Sequence, residues 1–160
     1  MSEYTIGLIA CLSLVGLAIS AYLYMLGGRS NKWIRRFIAS FVITGTVALA
    51  SHFMGCFSWW ILALYPLKCA EFIQGYGVSG TRPKWLKRLT IAGTSLAYGV
   101  GLCFILGGSA WYLLTIHLWL GLCTTQFAFK NPVHAAAEEP LVCMLNNLIV
   151  VFYPFAVGLS

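Results

Sequence analysis

Six long apolar runs, joined by short connections, constrain this chain more than any other feature. They cover about 5–26, 34–54, 57–73, 87–106, 109–129 and 141–158. A hydrocarbon layer of about 30 Å is crossed by about 20 mostly apolar residues in helical form. The third run is the shortest, carries Pro66 and holds Lys68 and Glu71 near its end. Gly107 and Gly108 form the break between the fourth and fifth runs. Period-two alternation is absent, and an open sheet in lipid would leave backbone groups unpaired. The expected fold is therefore all-α. It is an integral membrane bundle of about six transmembrane helices in three hairpins, forming a single polytopic domain over 1–160.

Composition narrows the solvent. Apolar residues make up 60% of the chain and charged residues 9%, against about 25% charged in a soluble domain. So few charges cannot cover a water-facing surface, which leaves lipid. The formal charge of +6 invites comparison with nucleic-acid binders. The basic residues, however, sit in short clusters between apolar runs, so no nucleic-acid partner is expected. The N-terminal MSEYTIGLIACLSLVG lacks the basic start of a signal peptide and reads as a retained first membrane helix. The six cysteines (Cys11, Cys56, Cys69, Cys103, Cys123 and Cys143) are scattered singly. With no CxxC pair, neither a zinc ribbon nor a redox motif is indicated. Those inside the runs are expected to act as small hydrophobes. Cys56, in a short loop, leaves a bridge open.

The basic clusters also orient the chain. The first connection carries Arg29, Lys32, Arg35 and Arg36, the third Arg82, Lys84, Lys87 and Arg88, and the fifth Lys130. The second and fourth carry no Lys or Arg. Short loops rich in Lys and Arg stay cytoplasmic. Connections one, three and five are therefore expected inside, with both termini outside. The expected location is a bacterial inner membrane.

KWIRRF, starting at position 32, returns as KWLKRL at position 84. Both stand where an outward-going helix begins. Trp33 and Trp85 suit headgroup depth, and the Lys and Arg beside them can snorkel to anionic phosphates. These residues are the expected membrane-interface anchors. The repeat is compatible with duplication of a hairpin or with convergence on one kind of turn. The third hairpin departs from it, with Glu138 and Glu139 in its turn. Those glutamates either dock against the basic turns or are simply solvated.

Ionisable groups inside a membrane are costly and mark function by default. Lys68 and Glu71 stand three apart, on one helix face. They read as a structural pair or as part of a polar path. Asn146 and Asn147 lie in the last run. About 100° apart on the helix, they cannot share a face, and at least one is expected to bond a neighbouring helix. Pro154 is a candidate kink near the end of that run. His52 and His117 lie toward the outer side of their runs and are expected to be hydrogen-bonded interior groups. His134 and Glu138 have one-turn spacing, too few ligands for a metal. Small residues at four-residue spacing, Gly16 and Ser20 in the first run and Gly93, Ala97 and Gly101 in the fourth, are expected at helix contacts, within one chain or between chains. Phosphate-loop, dinucleotide and Ser/His/Asp patterns are absent, and no cofactor or metal is expected.

Two function classes follow. The first is a non-catalytic partner-binding or accessory protein of the bacterial or phage-modified cell envelope. Its partners would be the lipid bilayer with its anionic headgroups, and either a protein or further copies of the chain. The alternative is a small channel or transporter, with a polar path near Lys68, Glu71, Asn146 and Asn147. Enzymatic activity ranks below both.

Overall fold

The computed structural model describes residues 2–25, 31–76, 84–126 and 132–160. Among these the chain is all-helical, with no strand. The helices are α1 (Glu3–Met25), α2 (Lys32–Phe53), α3 (Trp60–Ala63), α4 (Tyr65–Tyr76), α5 (Lys84–Leu106), α6 (Ala110–Gln126) and α7 (Pro132–Gly158). Among the described residues two helical stretches are long and apolar enough to cross a membrane, Glu3–Leu23 in α1 and Trp33–Phe53 in α2. The apolar stretches described in α5, α6 and α7 are shorter, at Ala92–Leu106, Ala110–Cys123 and Met144–Gly158.

Local chemistry explains where the helices stop. α2 ends in a Schellman motif: the Cys56 N–H reaches the Ser51 carbonyl at 2.9 Å and the Gly55 N–H the His52 carbonyl at 3.2 Å. That closure needs a left-handed residue, and Gly55 supplies φ +76°. α5 ends at Gly107, which bonds back to the Cys103 carbonyl at 2.8 Å. The third apolar run, expected as one helix over 57–73, is divided at Leu64. Pro66 has no N–H to give the Leu62 carbonyl, so the ladder is interrupted and α4 restarts around it. The last run also differs from expectation. α7 begins at Pro132 rather than near 141, so residues 132–140 of the fifth connection are helical. Proline at the first helical position has no donor to lose.

Neighbours in sequence pack side by side in the order α1, α2, α4, α5, α6, α7, and α7 returns to α1 and α2. α1 and α2 run antiparallel, as do α5 and α6. In the first pair Gly16 faces Thr46 so closely that a Cβ there would collide with the Thr46 hydroxyl. One turn on, Ser20 Oγ donates to the Ala39 carbonyl at 3.0 Å. At one end of the bundle Ile9, Ala50, Met54 and Phe155 form a small apolar cluster. The main core, including Ile43, Val47, Ile61, Leu102, Val150 and Val151, lies between α2, α3, α5 and α7.

The stripe on α5 is divided between the outside and the inside of the chain. Gly93 has open space where a Cβ would sit, and Gly93 and Ala97 face outward. The inward face carries Ser95, Tyr98, Leu102, Cys103 and Leu106, a spacing close to the true helical period. A four-residue repeat drifts by about 40° per step around the helix, and of the two glycines it is Gly101, against Leu64, that reaches a contact.

Candidate functional site

Several polar residues of the interior gather where α2, α4, α5 and α7 meet. α4 presents Lys68 and Glu71 on one face, three residues apart. Lys68 Nζ lies 2.8 Å from Glu71 Oε2, with side-chain exposures of 0% and 4%. The second carboxylate oxygen, Oε1, accepts from Asn146 Nδ2 of α7 at 3.1 Å. Both oxygens of Glu71 are thus used.

Lys68 is less completely served. An ammonium has three donors, and the carboxylate takes one. Aromatic faces surround the rest: Nζ lies 4.9 Å from the Tyr98 ring centre and 5.6 Å from that of Phe72. Such cation–π contacts are worth on the order of 2 kcal/mol when desolvated. The Lys68 backbone carbonyl accepts from Ser40 Oγ of α2 at 3.4 Å.

Three polar atoms around this pair have no hydrogen-bond partner: Thr44 Oγ1, Tyr98 OH and Asn146 Oδ1. Thr44 and Tyr98 lie close together but outside hydrogen-bond geometry. Their residues are 0–1% exposed. A buried orphan of this kind costs about 1–3 kcal/mol. The cluster therefore combines a closed ion pair with unfilled hydrogen-bonding capacity.

A second buried chain lies between α5, α6 and α7. Ser95 Oγ and His117 Nε2 are 3.1 Å apart, and His117 Nδ1 and Tyr153 OH are also 3.1 Å apart. Two glycines make room for it. A Cβ on Gly99 would fall 2.8 Å from His117 Nδ1, and one on Gly121 would fall 3.1 Å from Ser95 Oγ. His117 is hydrogen-bonded and interior. His52 instead is exposed, beside the Phe53 and Phe57 rings. The two histidines have different neighbours.

Of the residues singled out from sequence, Lys68, Glu71 and Asn146 come together. Asn147 is buried, with interactions of its own. Trp33 is half-exposed at the start of α2 and Arg35 partly exposed. Arg36, expected among the headgroup anchors, is instead buried at 5% exposure. It points to the side of α2 that carries Ser40. Arg29, Arg82 and Lys130 lie outside the described residues, as do the side chains of Lys32, Lys84, Trp85, Lys87, Arg88, His134, Glu138, Glu139 and Cys143. The five described cysteines are free. Partial burial pushes the Cys56 thiol up, away from reactive thiolate. No group of three or more His, Cys, Asp or Glu suited to a metal occurs among the described residues.

Sequence reasoning missed Thr44, Ser95, Tyr98 and Tyr153. None stands out by charge. Tyr98 and Ser95 do share a helical face, at a spacing of three, and that was the available signal. Comparison with protein-family models, curated proteins and solved structures returns no match for this chain.

Proposed function

We propose that this chain is a multi-pass integral membrane protein of six spans, with α3 and α4 together forming the third and both termini outside. The apolar exterior supports this. Along α1, Leu8, Leu12, Val15 and Ile19 form an outward stripe of large apolar side chains. Phe104, Tyr112 and Trp119 continue an exposed apolar surface on α5 and α6. Soluble monomers rarely expose contiguous patches of this kind, whereas lipid accepts them. A direct test places single cysteines in a cysteine-free background. A membrane-impermeant maleimide added outside should label Ser2→Cys and Ser160→Cys but leave Asn31→Cys unlabelled. Labelling of Asn31→Cys alone reverses the orientation.

Within that bundle the activity we propose is handling of an ion or small polar solute by an enclosed centre, in the manner of a carrier rather than an open pore. One observation carries it: Lys68, Glu71 and Asn146 converge, and buried polar atoms beside them still lack partners. Helix glue alone would need no charges, and charges inside a membrane are costly. Purified chain in liposomes should move protons or a small ion, and Glu71→Gln should abolish that flux while leaving the fold intact. Flux unchanged by Glu71→Gln places the path elsewhere.

A partner-binding role is the second reading. It is favoured by an open groove of about 540 Å³, lined by Gly45, Ala48, Leu49, His52, Phe57, Trp59 and Leu62. Trp59 in this lining and its sequence neighbour Trp60 are both exposed. Crosslinking from Trp59 and Trp60 positions in membranes tests it: a discrete crosslinked protein supports it, and lipid adducts alone remove it.

A further inference from the structure

We propose that the Lys68 cluster binds a small monovalent anion together with one proton, the proton on Glu71 and the anion on Lys68. This rests on the reading of the centre as a carrier site and names what it would carry.

The starting point is charge. In a low-dielectric interior the Lys68–Glu71 pair is neutral as a unit. An anion added to Lys68 alone would leave a net negative charge there, and such a charge is expensive to bury. A proton on Glu71 removes that cost. One proton and one anion enter together, and the charge of the site does not change.

The second observation is the set of unpartnered atoms. A protonated Glu71 becomes a hydrogen-bond donor and needs an acceptor. Asn146 already faces Glu71 Oε1 at 3.1 Å through its amide nitrogen. Its own oxygen is unpartnered. Rotation of that amide by half a turn brings Oδ1 to accept from the new O–H on Oε1. Lys68 Nζ then releases Oε2 and has its donors free for the anion. Thr44 and Tyr98 contribute the two remaining unpartnered groups, both hydroxyls that can donate. Tyr98 already lies against the ammonium through its ring. In the loaded state Asn146 Oδ1 becomes the acceptor for the acid and the two hydroxyls become donors to the anion, while Asn146 Nδ2 and Glu71 Oε2 give up the bonds they make in the empty state. The proton comes from bulk water and returns there on release, and no covalent bond to carbon forms or breaks.

Other ionisable groups lie around the pair. Arg36 stands on α2, Tyr65 and Cys69 on α4, Tyr98 on α5, His117 on α6 and Tyr153 on α7. Arg36 keeps interactions of its own. His117 has both ring nitrogens engaged, by Ser95 and Tyr153.

The test measures binding of chloride, nitrate and formate to the purified full-length chain in detergent, read as anion-dependent thermal stabilisation between about pH 5 and about pH 8. Obligatory uptake of one proton makes the affinity fall about tenfold per pH unit wherever free Glu71 is ionised. Glu71→Gln should bind at all these pH values with an affinity that no longer varies. Lys68→Met should not bind. Tyr98→Phe, which keeps the ring, should weaken binding by about two- to tenfold, and it serves if either charge variant fails to fold. His117→Gln should leave the pH slope unaltered. Wild-type affinity independent of pH, binding retained in Lys68→Met, or a slope lost in His117→Gln overturns the proposal. Liposome flux that Glu71→Gln abolishes, with no anion bound by wild type, overturns the anion and leaves the carrier reading. Absence of both flux and binding removes the two together.

Discussion

The contact between α1 and α2 and the centre around Lys68 are both buried, and they are held together by opposite means. Between α1 and α2 a missing side chain, Gly16, brings the helices close, and the Ser20 hydroxyl is satisfied by a backbone carbonyl. No ion pair is recorded there among the described residues. Around Lys68 a charge pair is enclosed, and hydroxyl and amide atoms beside it go without partners. In lipid, helices gain little from apolar contact as such, so close packing and hydrogen bonds must hold them. The α1–α2 contact meets that need at no electrostatic cost. The Lys68 centre meets it at a cost that simple packing would have avoided, and this is why we propose activity for the centre and scaffolding for the hairpin.

The sharpest way to break the comparison is to unpair the charges. Glu71→Ala leaves the Lys68 ammonium buried without a counter-ion and should cost on the order of 3–5 kcal/mol. The double variant Lys68→Met, Glu71→Gln should recover much of that loss. Unfolding in detergent measures both, and equal losses for single and double variants would show that the two side chains are not coupled. The hairpin has its own test of next size. Gly16→Val drives a side chain into Thr46 and should cost about 1–3 kcal/mol. Gly93→Ala on the outward face of α5 meets nothing and should be neutral or stabilising, by up to about 1 kcal/mol. If Gly16→Val were as harmless as Gly93→Ala, the close approach of α1 and α2 would be wrong.

Two smaller effects should carry opposite signs. Tyr98→Phe removes an unpartnered hydroxyl, so stability should hold or rise by about 1 kcal/mol. Ser20→Ala removes a satisfied one and should cost about 0.6 kcal/mol, the usual worth of a hydrogen bond between membrane helices. The same thermal or chemical unfolding experiment reads both. A loss for Tyr98→Phe equal to that for Ser20→Ala would mean that the Tyr98 hydroxyl is bonded after all.

Helical class was legible because apolar runs of membrane length leave few alternatives. α1, α2 and α5 lie almost where the runs mark them. The division of the third run at Leu64 was less legible. Pro66 announced an interruption, but hydropathy does not register a missing N–H. The early start of α7 was obscured because residues 132–140 are polar and proline-flanked, and composition there resembles a loop. Within the candidate site, charge made Lys68 and Glu71 visible. Asn146 was distinguishable from Asn147 only by facing, which adjacency in sequence cannot supply. On α5 the small residues mark a face that turns mostly outward, and burial within the chain follows Ser95, Tyr98 and Leu102 instead. Arg36 was placed with its neighbours in the basic cluster, although its position on α2 turns it inward.

The placement of Lys68 and Glu71 on the same turn of α4 has a consequence for synthesis. A charge whose counter-ion sits on a later helix must wait, exposed to lipid, until that helix is made. Here the counter-ion is three residues away and emerges from the ribosome almost at once. On the membrane reading, the α3–α4 segment reaches the bilayer already neutralised and needs no later segment to make its insertion tolerable. Asn146, on α7, arrives only after α1 to α6 have been made. Its bond to Glu71 can form only once α7 has joined the earlier helices, which makes that contact a marker of their assembly.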